Sequence, residues 1–125
     1  MYLPFSELNE ELSEPARELT AQAPDRAGLL VLSVLVVLGA PLVEEIFFRG
    51  LLMEALRAAG TAVAVLVSAA AFALVHLQPL AMPAFVVLGV VLSLLTLGRR
   101  RLGPAIATHA TFNAITMAVL LAPAT

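Results

Sequence analysis

Residues 27–57 read AGLLVLSVLVVLGAPLVEEIFFRGLLMEALR. The first seventeen, Ala27 to Val43, carry no charge, and then Glu44, Glu45 and Arg49 follow inside the same apolar run. A helix that spans the hydrocarbon core needs about 20 mostly apolar residues, and this stretch is long enough. Three further runs follow. Thr61 to Leu77 lies between Gly60 and Pro79, Leu80 to Gly98 ends at the triplet Arg99-Arg100-Arg101, and Ala105 to Ala122 follows Gly103-Pro104. None alternates as the strands of a membrane barrel do. The expected fold is all-α, a polytopic transmembrane bundle of about four spanning helices.

Composition supports the same class. Of 125 residues, 61% are hydrophobic and 13% charged, against about 25% charged in an ordinary soluble domain. Cysteine, lysine and tryptophan are absent, which excludes a disulfide framework and a thiolate metal site. A net charge of −2 gives no footprint for a nucleic-acid partner. The charge is uneven. Residues 1–26 hold six acids and two arginines, whereas residues 27–125 hold three acids and five arginines. The first part is expected to be a polar, acidic, amphipathic segment beside the membrane. Leu8, Leu12 and Leu19 fall on one helical face, and Pro15 is expected to divide it into two pieces. The second part is the helical core. Arginine-rich turns face the cytoplasm, which puts Arg57–Gly60 and Arg99–Arg101 on that side and both termini opposite.

Ionisable and amide groups inside a membrane span are costly and generally functional. Glu44, Glu45, Arg49, His76, His109 and Asn113 are such groups. Glu44 lies sixteen residues before Gly60 and His76 sixteen after it, so on straight helices both sit about 24 Å from the turn. His109 and Asn113 fall about 12–18 Å past Arg101 by the same rise, one or two turns shallower. Glu45 and Arg49 are spaced i,i+4 with the acid first, the favourable order for a helical ion pair. That leaves Glu44, rotated about 100° away, free for chemistry. Phe72 shares a face with His76 and can wall the site. A carboxylate can take a proton from water with a histidine assisting. A second histidine and an amide can stabilise the oxyanion formed when water attacks a peptide carbonyl. Glu44, His76 and His109 are also the ligand count of some zinc sites, and two histidines with one glutamate do not separate the two cases.

The residues carry three motifs in order on successive apolar segments. Glu44-Glu45-Ile46-Phe47-Phe48-Arg49 is EExxxR, Phe72 to His76 is FxxxH, and His109 to Asn113 is HxxxN. Together they resemble the CPBP family of CAAX proteases and bacteriocin-processing enzymes, also called Abi or type II CAAX prenyl endopeptidases, over residues 27–122. The resemblance implies an intramembrane endopeptidase. Glu44 would activate water, His76 would assist, His109 and Asn113 would stabilise the oxyanion, and Glu45 and Arg49 would support them. The family is described both as metalloproteases and as metal-independent glutamate proteases. The implied cofactor is therefore either none or a divalent metal such as zinc on Glu44, His76 and His109. Implied partners are membrane lipid and a peptide or protein substrate, prenylated in the CAAX-type members, and the implied location is a prokaryotic plasma membrane. Family members usually place more spans before the EExxxR helix than the single run found here, and a homo-oligomer is one way to complete such a bundle. The alternative function is a non-enzymatic bacteriocin-immunity or membrane scaffold protein that retains the motif residues. A small ion pathway through the same groups ranks below both.

Overall fold

A computed structural model describes residues 5–122 of the chain, apart from some side chains near its start, among them that of Leu8. Every regular element among them is helical. Helix α1 is Phe5–Ala21. Helix α2 is Arg26–Ala59, α3 Thr61–Val75, α4 Met82–Arg99 and α5 Gly103–Leu121. Helix α1 is one helix rather than the two pieces expected. Pro15 lacks the N–H that would bond to Glu11 O, but both residues are exposed, so that carbonyl can turn outward.

Helices α2, α4 and α5 are long and apolar enough to cross a membrane, and α3 is a shorter apolar helix. The expected second span, Thr61 to Leu77, is therefore cut back. At 15 residues, α3 extends about 22 Å against a core of about 30 Å. It stops because Leu77 takes φ 52°, in the left-handed region, two residues ahead of Pro79. At the other end Gly60, at φ 113°, allows the sharp reversal from α2 to α3.

The helices close a ring. The first half of α2 packs on α5, its second half on α3, and α4 joins α3 to α5. Close approach of α3 and α4 needs small residues: a Cβ on Gly89 would lie 2.9 Å from Ala69 Cα. Polarity is inverted relative to a soluble bundle. Glu45, Arg49, Ser68, Ser93 and His109 are buried, whereas Leu30, Val43, Leu51, Leu66, Val87 and Val119 are exposed. The outer face is what lipid would cover. Helix α1 lies beside the 77–81 turn, where Leu12 and Pro15 share a cleft with Leu77 and Pro79.

Helix α2 is not a regular α-helix. Leu35–Gly39 and Ile46–Leu52 are π-helical. Such wide turns are rare and are frequent at functional sites. Here they flank Glu44 and Glu45. Within the first, Ala40 N–H bonds to Leu35 O, and Pro41 has no N–H to give. Val36 O thus lacks both of its usual helical donors, and the side chain of Asn113 on α5 fills the place, its Nδ2 donating to Val36 O at 2.9 Å. In the second, Met53 N–H bonds to Phe48 O, and Ser68 Oγ on α3 donates to the same oxygen at 2.8 Å. Each π segment of α2 is thus held by a polar side chain from a neighbouring helix.

Candidate active site

Three ionisable groups meet on one oxygen. Arg49 Nη1 donates to Glu45 Oε1 at 2.9 Å, one helical turn along α2. His109 Nδ1, from α5, donates to the same Oε1 at 2.9 Å. Arg49 Nη2 continues to Gly89 O on α4 at 3.0 Å, and Ser93 Oγ donates to that carbonyl at 2.8 Å. Glu45 and Arg49 therefore tie α2 to α4 and α5. The Arg49 guanidinium also lies over the Phe72 ring, 4.6 Å from its centroid, a cation–π contact from α3.

Glu44 lies on the other side of this cluster. Its Oε2 is 3.7 Å from His109 Nε2, too far for a direct hydrogen bond. That Oε2 is buried without a hydrogen-bond partner among the described residues, as is Glu45 Oε2. The two neighbouring carboxylates differ in access: the Glu44 side chain keeps 28% exposure and the Glu45 side chain none. Of the two carboxylates, Glu44 is the one that a molecule arriving from outside the bundle can meet. Because a carboxylate only accepts, the bond to Glu45 puts a proton on His109 Nδ1, and Nε2 is the nitrogen that faces Glu44.

His76 approaches through aromatic rings. Its Nδ1 donates to Phe72 O at 2.7 Å, its ring stacks on Phe85 at 4.3 Å between centroids, and it packs on Phe72 at 4.7 Å. His109 packs edge-on to the same Phe72 ring at 5.4 Å. Phe72 therefore stands between α3 and α5 as the shared wall of both imidazoles. Among the described residues His76 makes neither a hydrogen bond nor an ion pair with Glu44, and Asn113 bonds to Val36 O.

The residues singled out from the sequence thus fall into two layers. Glu44, Glu45, Arg49 and His109 share one cluster, with Phe72 against it. His76 and Asn113 join through Phe72 and the α2 backbone. His109 meets the glutamates although the residue count put it shallower. No three His, Asp or Glu side chains among the described residues form a group that could hold a metal ion. The arrangement does not fit a zinc ligand set on Glu44, His76 and His109, and no step below is routed through one. The sequence reading did not find Ser68, Ser93, Phe85 or the π segments. Pro41, inside an apolar run, was the signal for the first of those segments.

An integral membrane bundle with a buried carboxylate–imidazole cluster, at which one glutamate keeps partial exposure, is the class that fold and site define. The model of the type II CAAX prenyl endopeptidase Rce1-like family matches residues 26–115. The chain belongs to this family, a family of peptidases, and the match covers every residue of the cluster. Comparisons with curated proteins and with solved structures gave no match.

Proposed function

We propose that the chain is a CAAX-type intramembrane endopeptidase in which Glu44 activates water. The observation that carries this reading is the 3.7 Å gap between Glu44 Oε2 and His109 Nε2, with His109 fixed from behind by Glu45. A water that enters at the exposed side of Glu44 can bond to its carboxylate with His109 Nε2 beside it. Glu44 takes a proton from it as its oxygen adds to the scissile carbonyl carbon. The carbonyl oxygen gains negative charge, and Nε2 of a protonated His109 donates to it. The C–N bond then breaks, and the proton held by Glu44 passes to the leaving amine nitrogen. A carboxylic acid and an amine result, and the water is consumed.

The remaining residues have supporting assignments. Glu45 and Arg49 position His109 and keep a compensated charge pair under the site. The Asn113 amide has a second N–H beyond the one given to Val36 O, and this is the hydrogen assigned to the oxyanion. His76, with Nδ1 committed to Phe72 O, has Nε2 as its free nitrogen for the water or the leaving group. The family match supports, as the substrate class, a chain end in which a prenylated cysteine is followed by three residues.

The test is hydrolysis of a farnesylated peptide of that form by the purified chain in proteoliposomes, in water enriched in oxygen-18. Wild type is expected to release the C-terminal tripeptide and to place one oxygen-18 in the new carboxylate, and Glu44→Gln to release none above background. No cleavage by wild type, or equal cleavage by Glu44→Gln, would reject the reading. Protection of cells from a bacteriocin by both forms alike would favour the immunity role.

A further inference from the structure

A second feature lies next to the cluster. Between the ends of α2 and α4 is a cleft of ≈ 420 Å³, lined by Arg49, Met53, Arg57, Thr96, Arg100 and Arg101 among others. Its sole acid, Glu54, is already paired with Arg57 at 3.4 Å. Arg49 is committed to Glu45 and Gly89 O. Arg100 and Arg101 have no acidic partner among the described residues, so two guanidinium groups at the cleft are free for an anion. Topology alone calls for arginines at this end of the bundle, but not for a concavity, nor for one that shares Arg49 with the active-site cluster.

From this cleft we infer that Arg100 and Arg101 hold the C-terminal carboxylate of the substrate, so that the bundle measures the distance from the scissile bond to the end of the chain. The inference rests on the peptidase reading and adds how the substrate is recognised. Distance supports it. Three residues beyond a scissile bond span about 10 Å when extended. From Glu44 to the stretch Arg49–Arg57 the rise along α2 is about 7–20 Å. Along the bundle axis, a tripeptide leaving group whose carbonyl is attacked at Glu44 therefore reaches the level of the cleft. Guanidinium is the group that matches a carboxylate with two parallel hydrogen bonds. A longer peptide running past this point would meet the 99–102 turn, so the site selects chain ends over internal segments.

The experiment compares a farnesylated peptide bearing a free C-terminal acid with the same peptide as its amide. Binding to the protein in phosphatidylcholine nanodiscs is measured by fluorescence anisotropy, with turnover followed in parallel. Wild type is expected to bind the acid about tenfold more tightly than the amide. In the double variant Arg100→Gln, Arg101→Gln the ratio should fall to about one. Arg99→Gln removes a charge from the same turn but from outside the cleft, and should keep the preference. Equal binding of acid and amide by wild type, or a preference that survives the double variant, or one lost to the same extent in Arg99→Gln, overturns the inference. So does arginine-dependent retention of phosphatidylglycerol without any acid preference, which would make the cleft a lipid-headgroup site. Acid preference without turnover overturns the peptidase reading and leaves the docking site standing. Turnover without acid preference does the reverse.

Discussion

At the residue scale, what sets this site apart is the unequal treatment of two adjacent glutamates. Glu45 is sealed and doubly bonded through one oxygen, whereas Glu44 retains access and faces the imidazole. The two should therefore fail differently. Glu44→Gln is expected to leave thermal stability nearly unchanged and to lower turnover by about 10²-fold or more, as loss of a general base does. Glu45→Ala leaves the Arg49 guanidinium buried without its carboxylate. Breaking a buried pair from one side costs about 3–5 kcal/mol, so this variant is expected to melt well below wild type in a detergent-solubilised thermal scan. A Glu45→Ala protein as stable as wild type would remove the supporting role. The sequence carried the pairing of Glu45 with Arg49, because i,i+4 spacing on one helix is local information. It could not carry the bond from His109 to Glu45, which joins residues 64 apart and depends on how α2 is wound.

At the element scale, the decisive feature is that winding. Pro41 withholds an N–H, a π turn redirects Ala40 N–H, and Asn113 supplies the missing donor to Val36 O. The Asn113–Val36 bond is part-buried, and leaving such a carbonyl unmet costs about 1 kcal/mol or more, so Asn113→Ala should lower stability by that order. Pro41→Ala restores an N–H able to bond along the helix. In that background the cost of Asn113→Ala should shrink towards zero, and a double-mutant cycle on thermal stability measures the coupling. Additive losses would mean that Asn113 and Pro41 do not serve the same carbonyl. The contact of α3 with α4 gives a second expectation. Gly89→Ala would set a methyl group 2.9 Å from the Ala69 backbone, and overpacking of this kind costs about 1–3 kcal/mol. The existence of four apolar helices in the core was legible from run length and punctuation. The early stop of α3 and the continuity of α1 through Pro15 were not. The first turns on the backbone of Leu77, and the second on both Pro15 and Glu11 being exposed, and neither leaves a mark in hydropathy.

At the scale of the whole molecule, the bundle has two unlike ends. One gathers α1, the 77–81 turn and the end of α5, and the other gathers the arginine-bearing turns. Arginine placement predicts that the second end faces the cytoplasm. Because the chain contains no cysteine, single cysteines report this directly. Ala58→Cys and Gly98→Cys should be protected from an impermeant thiol reagent applied outside intact cells, and Gln78→Cys should be labelled. The reverse pattern would invert the topology. How the residues of EExxxR, FxxxH and HxxxN group in space was only partly visible beforehand. The motifs name the residues, but the grouping of His109 with both glutamates, and of His76 with Phe72 and Phe85, comes from the closed ring of helices.

The account stands or falls on Glu44 and His109 acting as one unit on one water. Turnover of the farnesylated peptide should be measured in Glu44→Gln, His109→Gln and the double variant, each checked for folding. Groups that act together are strongly non-additive, so the double variant should be no slower than the slower single one. Losses that multiply across the two positions, or a Glu44→Gln enzyme that works at the wild-type rate, would contradict it.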